Sequence, residues 1–274
     1  MAITNSTDLA GQIEKRVSGV LSTTLIQESV SLGSVDDRSS EVGPGMDRLD
    51  IALMNELAIQ DVSESSDVTP QSITPSEFQL ELNRHKSVPW SLSDRASEQS
   101  KINVVTRAVM NGARTMAAEI DDFNFGLIDA GASSRVALTG NPLEDISNAK
   151  ALMDAAKVPK TDRFIAASPA FIKSLLDQNT IVNANQYGSM EARQAGYVDR
   201  IFGFTILESS SANIVEDGFQ AYHREAVAFA RQIAVSLKSE YKVLGHKWDY
   251  SLSHLYGAVF TQPSMAVVYD SDGV

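Results

Sequence analysis

The sequence predicts an α+β fold in which an extended two-stranded arm, a long amphipathic helix and a strand–helix lobe follow one another along the chain. Three observations carry this. Leu49, Ile51 and Leu53, and later Phe78, Leu80 and Leu82, alternate with polar or small residues, the period of half-buried strands. Ile102, Val105, Val109, Ala113, Met116, Ile120, Phe123 and Leu127 recur three or four apart, the period of one helix face. The apolar run Arg163–Ala167 is followed at once by Ser168-Pro169, a strand that gives way to a helix, since proline loses no hydrogen bond in a first helical turn.

Composition bounds the function. At 274 residues, 43% hydrophobic and 21% charged, the chain can bury a sizeable core as one large domain or two lobes. No apolar run approaches the roughly 18 residues that span a bilayer. Residues 1–9 have neither the basic flank nor the apolar centre of a signal peptide. The absence of cysteine removes disulfides and thiolate metal sites and fits synthesis in a cytosol. A net charge of -12 argues against a general nucleic-acid binder.

Taken in order, residues 1–45 read as an arm. Ser34 to Gly45 has too little apolar surface to offset its own ordering. Residues 19–32 carry Val20, Leu21, Leu25, Ile26, Val30 and Leu32 and read as a segment that orders against something else. The two alternating runs then form a hairpin arm. Its tip, residues 60–76, is rich in Ser, Asp and Thr and holds Pro70 and Pro75, a turn-forming mixture. The second strand is expected to continue through Val88-Pro89-Trp90, with Pro89 marking an edge strand or bulge. A lone hairpin is marginal in water, so the arm should rest on another chain.

The long helix should start near Asp94 or Ser97, both good N-cap types, and stop at Asp129-Ala130-Gly131. Asn141-Pro142 opens a further helix through Leu143, Ile146, Ala149, Leu152, Met153 and Ala156. A strand at residues 205–207 follows the turn around Gly203, and Gly196 is a second turn glycine. The last stretch, residues 255–268, reads as two strands broken by Pro263.

Catalytic signals are missing. His85, His223, His246 and His254 show no i, i+4 pairing and no H-E-x-x-H. There is no G-x-S-x-G elbow and no phosphate-binding glycine loop. Glu119, Asp121 and Asp122 are paired carboxylates that could serve as acid and base or hold a cation, and a solvated helix face is the better reading of them. Asn5-Ser6-Thr7 fits a glycosylation pattern without a secretory context. No catalytic residue, cofactor or metal is expected.

Two segments carry a resemblance. V-P-K-T-D-R-F-I-A-A-S-P-A-F-I-K-S-L-L (158–176) and A-G-Y-V-D-R-I-F-G-F-T-I-L-E-S (195–209) resemble the major capsid proteins of tailed double-stranded-DNA phages, the Hong Kong 97-like fold. Y-H-R-E-A-V-A-F-A (222–230) and the strands around Pro263 are similar to further family segments, and a hairpin arm before a long helix is the family order. The resemblance implies an N-terminal arm (1–45), an extended loop (46–93), a spine helix with peripheral domain (94–141), an axial domain (142–240) and C-terminal strands of the peripheral domain (241–274). It further implies a structural subunit, not an enzyme, that forms pentamers and hexamers of an icosahedral head enclosing double-stranded DNA without binding it specifically. The expected partners are other copies of the chain, a portal, a separate scaffolding protein (only some 45 residues precede the loop) and a decorating cement protein. No membrane is involved. The place is the virion, after synthesis in the host cytoplasm. Some relatives weld an arm lysine to a neighbour; here the one candidate, Lys86, lies among Arg84, His85 and Ser87 on what reads as a wet, basic surface, so no cross-link is expected. Two alternatives stay open: an encapsulin shell, which packaged enzyme rather than DNA would reveal, and an acidic cytosolic enzyme with an unrecognised site.

Overall fold

A computed structural model describes residues 29–54, 57–62, 69–99, 104–177 and 200–271. Residues 1–28, Ile102, Gly196 and the centre of the arm tip (63–68), all of which the sequence reading addressed, lie outside the described residues. In chain order the elements are β1 (Asp36–Asp37), β2 (Arg48–Met54), β3 (Pro75–Glu81), β4 (Arg84–Ser93), α1 (Asp94–Gln99), α2 (Val104–Gly131), β5 (Ser134–Ala137), α3 (Pro142–Ala155), β6 (Arg163–Ala167), α4 (Pro169–Leu176), β7 (Arg200–Ile201), β8 (Phe204–Glu208), β9 (Phe219–His223), β10 (Val227–Lys242), β11 (Lys247–Phe260) and β12 (Ala266–Asp270).

Among the described residues the strands form three sheets: β1-β10-β11-β4, β5-β12-β9-β6-β8-β7, and the β2-β3 hairpin. The expected amphipathic helix appears as α2, whose 28 residues span about 42 Å at the usual rise. Its apolar face covers one side of both larger sheets. Ile120, Phe125 and Ile128, all fully buried, lie in one core with Phe229 and Tyr256 of the four-stranded sheet and with Phe164, Tyr222 and Val268 of the six-stranded one. Burial of each such side chain contributes roughly 1.5–3 kcal/mol.

Because strand side chains alternate between faces, the next residues along β6, β9 and β12 point the other way. Ile165, Phe219 and Tyr269 build a second core with Ile146 and Met153 of α3 and Phe171 and Leu175 of α4. Phe219 stacks on Tyr269 at 4.6 Å and meets Phe171 at 4.7 Å. The six-stranded sheet is therefore the middle of three layers. Ser168 starts α4 as the proline spacing predicts, its hydroxyl accepting a hydrogen bond from the Phe171 N–H at 3.2 Å. At the β7–β8 turn, Phe202 and Gly203 both have positive φ, 50° and 90°, the backbone that a two-residue hairpin needs and glycine supplies freely.

The hairpin is rooted on the face of the four-stranded sheet away from α2. Leu49, Ile51 and Leu80 pack there on Ala228 and Ala230. The crossing is close enough that a Cβ on Gly257 would lie 2.0 Å from the Glu81 carbonyl oxygen, so only glycine lets β3 pass over β11.

Strand pairing divides the chain differently from the expected linear boundaries. The second hairpin strand does not run on past Asn83. After Glu81 the chain leaves the hairpin, and β4 pairs with β11, Val88 opposite Leu252 and Trp90 opposite Tyr250. Pro89 does sit on an edge strand, β4 being the margin of its sheet. Nor is position 240 a break: β10 and β11 pair from Val227–Phe260 to Lys242–Lys247. The C-terminal strand β12 joins β5 and β9 in the other sheet. The helix expected from residue 94 to 131 is described as two segments, α1 and α2. Residues 34–45, too polar to order alone, are ordered by contact: Val35 is buried and β1 pairs in parallel with β10.

Gly257→Ala should force the hairpin base off β11 and cost about 1–3 kcal/mol, the usual penalty of overpacking. Urea unfolding measures it, and an unchanged midpoint would contradict the crossing.

Candidate assembly surfaces

The arm is tied to the spine helix by a buried carboxylate. Asp121 of α2 accepts hydrogen bonds from the Ser29 hydroxyl (2.6 Å), the Val30 N–H (3.0 Å) and the Ser31 N–H (2.9 Å). Asn124, one turn on, donates to the Ser31 hydroxyl at 2.9 Å, and Ser34 shares a 2.6 Å hydrogen bond with the Tyr222 hydroxyl. Burial pushes that tyrosine hydroxyl's pKa up. Val30 and Leu32 lay their side chains on the main core. The expectation of a solvated acidic face fails here. Asp121 is buried, Asp122 accepts from the Ser211 hydroxyl at 2.5 Å, and Glu119 pairs with Lys86 at 2.5 Å. Each carboxylate fastens another segment to the helix, a role no local pattern reveals.

The first motif segment is held by its arginine. Arg163, buried in β6, donates to the Pro159 carbonyl at 2.8 Å and the Val158 carbonyl at 2.6 Å, and its guanidinium lies 2.7 Å from Asp154. Hydrogen bonds from Lys150 and Arg163 hold the Asp154 carboxyl at a pKa of about 2. Arg135 bridges Asp129 and Asp270, 2.7 Å from each, and so joins the end of α2 to β12.

The arm leaves the body as an open structure. Among the described residues the paired register ends at Met54 and Pro75, and beyond it side-chain amides link the two sides of the arm. Gln71 exchanges hydrogen bonds with the Ala58 backbone (2.8 and 2.5 Å), and Gln60 does so with Thr69 (2.8 and 3.0 Å). Ile59 is 99% exposed, Val62 81% and Met54 72%, three apolar side chains that the described residues leave uncovered. At the opposite end of the long sheet, the β10–β11 turn presents Leu244, fully exposed, and Val243.

The histidines scatter as their spacing implies. His85 and His246 are exposed, whereas His223 and His254 are buried. His254 stacks on Tyr256 at 4.9 Å, and among the described residues neither ring nitrogen has a hydrogen-bond partner. Burial, aided by the charge of Arg231, lowers its pKa to about 4. It floors a cavity of about 170 Å³ between β4, α2 and β11, with Lys86 and Glu119 among its lining residues. The surroundings of Lys86 are thus not simply basic: a carboxylate faces its ammonium. Among the described residues no cluster of acidic or histidine side chains could hold a metal ion, and no helix is long and apolar enough to cross a membrane.

A sequence model for phage capsid proteins matches residues 88–268. The fold is similar to that of a Mycobacterium phage Che8 protein (TM-score 0.75, 20% identity, covering 90% of this chain and 92% of that one). It also resembles the mature capsid of bacteriophage PhiM1 (0.68, 13%, 90% and 88%) and a virus-like particle from Pyrococcus furiosus (0.63, 12%, 94% and 99%). No curated protein sequence matches.

Asp121→Ala would strand two backbone N–H groups, a loss of roughly 1–3 kcal/mol. Hydrogen exchange should show the Val30 and Ser31 amides losing protection first, and protection equal to wild type would mean that the carboxylate does not hold the arm. His254 predicts a pH dependence. Its folded pKa lies below the ordinary 6.5, so its contribution is complete above that value. It is lost as pH falls from 6.5 towards 4, by up to about 3 kcal/mol, because the unfolded chain takes up the proton first. His254→Phe should flatten stability across this window, and an unchanged slope would assign the effect to another group.

Proposed function

The chain belongs to the phage capsid protein family and has the Hong Kong 97-like fold, and on that footing we propose that it is the shell subunit of a tailed-phage head, closing into pentamers and hexamers around packaged double-stranded DNA. One observation carries the assembly reading: a hairpin anchored on its own core through Leu49, Ile51 and Leu80 ends in Met54, Ile59 and Val62, which the described residues leave in water. A monomer gains nothing from such a limb. A subunit that lays it across a neighbour buries those side chains, and many modest contacts of this kind add over a closed shell.

In this reading the helix α2 with the four-stranded sheet is the peripheral domain, and the six-stranded sheet with α3 and α4 is the axial lobe at capsomer centres. Ring contacts would be heterologous, closing by rotation. The net charge of -12 supports a wall that encloses DNA without adhering to it. The role is mechanical, with no catalytic step. The chain is made in the host cytoplasm and ends in the virion, with portal, scaffolding and cement proteins as partners.

The purified protein should sediment as capsomers or shells and show closed particles by electron microscopy. Removing residues 62–72 takes away Val62 and a stretch rich in Ser, Asp and Thr whose described residues are exposed, so thermal unfolding should stay as in the full chain while shells fail or become irregular. A well-folded monomer at every concentration would overturn the shell reading, and enzyme cargo inside native particles in place of DNA would overturn the phage-head reading.

A further inference from the structure

Three basic side chains converge on one face of the four-stranded sheet. Arg231 of β10 and Arg84 of β4 lie opposite Tyr256 of β11 on its two sides, and Lys86 of β4 lies opposite His254. Residues directly opposite in an antiparallel ladder share a face, here the one that α2 covers. Tyr256 meets Phe123 of the helix edge-on at 5.9 Å, and the Arg84 guanidinium lies 4.3 Å from the same ring. Between helix and sheet is the cavity of about 170 Å³, which Lys86, Glu119, His254 and Tyr256 help to line.

Two of these lining groups are unmatched. His254 and Tyr256 are each 1% exposed. Among the described residues both imidazole nitrogens and the phenol oxygen lack a hydrogen-bond partner, a destabilising condition for buried polar atoms. The ladder beside them is also irregular. The register of β10 shifts between Arg231 and Ile233 and again between Ile233 and Ser236, so that no β10 residue is paired with His254. Bulges of this kind cluster beside functional sites.

We propose that this cavity binds a small inorganic oxyanion of phosphate size, held by the Lys86 ammonium, the His254 N–H and the Tyr256 hydroxyl and attracted by Arg84 and Arg231. Such a site is independent of whether the chain forms a shell. Charge selects the class of ligand. Glu119 is the one carboxylate in the lining and pairs with Lys86 at 2.5 Å, and among the described residues no carboxylate pairs with Arg84 or Arg231. The locality is therefore positive within a chain of net charge -12. A cation would meet that excess directly, and an uncharged ligand would leave it unmet.

Donor chemistry agrees. Burial and the charge of Arg231 keep the imidazole uncharged at neutral pH, so one of its nitrogens carries a proton to donate. With the phenol hydroxyl and the remaining ammonium hydrogens, donors on three residues line one space, and hydrogen bonds to an ionised acceptor are the strong kind. Size narrows the choice. The cavity is several times the roughly 30 Å³ share of one water but smaller than the roughly 300–1,000 Å³ of pockets that take drug-sized molecules. A bound ion would join β4, β11 and α2 and relieve the repulsion among the three cations.

Equilibrium dialysis of the full-length protein against radiolabelled inorganic phosphate, at fixed ionic strength, should show one ion taken up per chain. His254→Phe removes both nitrogens and Tyr256→Phe the hydroxyl, and each should weaken uptake about tenfold or more. Arg231→Gln, at a partly exposed side chain, covers the case in which a buried variant fails to fold, and it should weaken uptake in the same direction. Thermal unfolding should rise with phosphate in the wild type more than in any variant. That comparison removes the general stabilisation by excluded salts, which acts on all of them. No saturable uptake by the wild-type chain, or equal uptake by the wild type and the folded variants, would overturn the site. Binding of a duplex oligonucleotide in place of free phosphate, lost in the same variants, would overturn the free-ion assignment.

Discussion

The apolar face of α2 is the constraint on which the subunit depends. Two sheets with no shared ladder both need one side covered, and the same helix covers both. Ile120, Phe125 and Ile128 are fully buried at this seam, meeting Phe229 and Tyr256 from one sheet and Phe164, Tyr222 and Val268 from the other. Without the helix, each sheet would present a continuous apolar surface to water. The other cores are local by comparison: α3 and α4 seal the reverse of one sheet, and the hairpin base seals part of the reverse of the other.

The polar chemistry follows from that arrangement. Once the C-terminal half of α2 is covered by arm and loop, its acidic and amide side chains have no water to face and must find partners. Asp121 takes the arm backbone, Asn124 takes Ser31, and Asp122 takes Ser211. Buried carboxylates that look like an acid–base pair in one dimension are fasteners in three. They also give the arm a defined path, because a carboxylate accepting two successive backbone N–H groups fixes chain direction as well as position.

A container subunit must be rigid where its cores lie and adaptable where it meets others. Rigidity comes from the three packed layers and from Arg163, which clamps the turn before β6. In the arm beyond Met54, Gln60 and Gln71 bridge its two sides through their side-chain amides.

Much of this was legible in the chain because it is local. Period fixes element type: the spacing from Val105 to Leu127 could only be an amphipathic helix, alternation at Leu49 and Phe78 gave strands, and Ser168-Pro169 marked a helix start to the residue. The motif segments carried the family for the same reason, since Arg163 and Gly203 serve turns made by their immediate neighbours. The partnerships were not legible. That β4 leaves the hairpin for β11, that β12 joins β5 and β9, and that Asp121 is buried while its sequence resembles any solvated helix face all depend on residues far away in the chain. Hydrogen-bond ladders and burial are set by what packs alongside, and a one-dimensional pattern contains the period of a strand but not its neighbour.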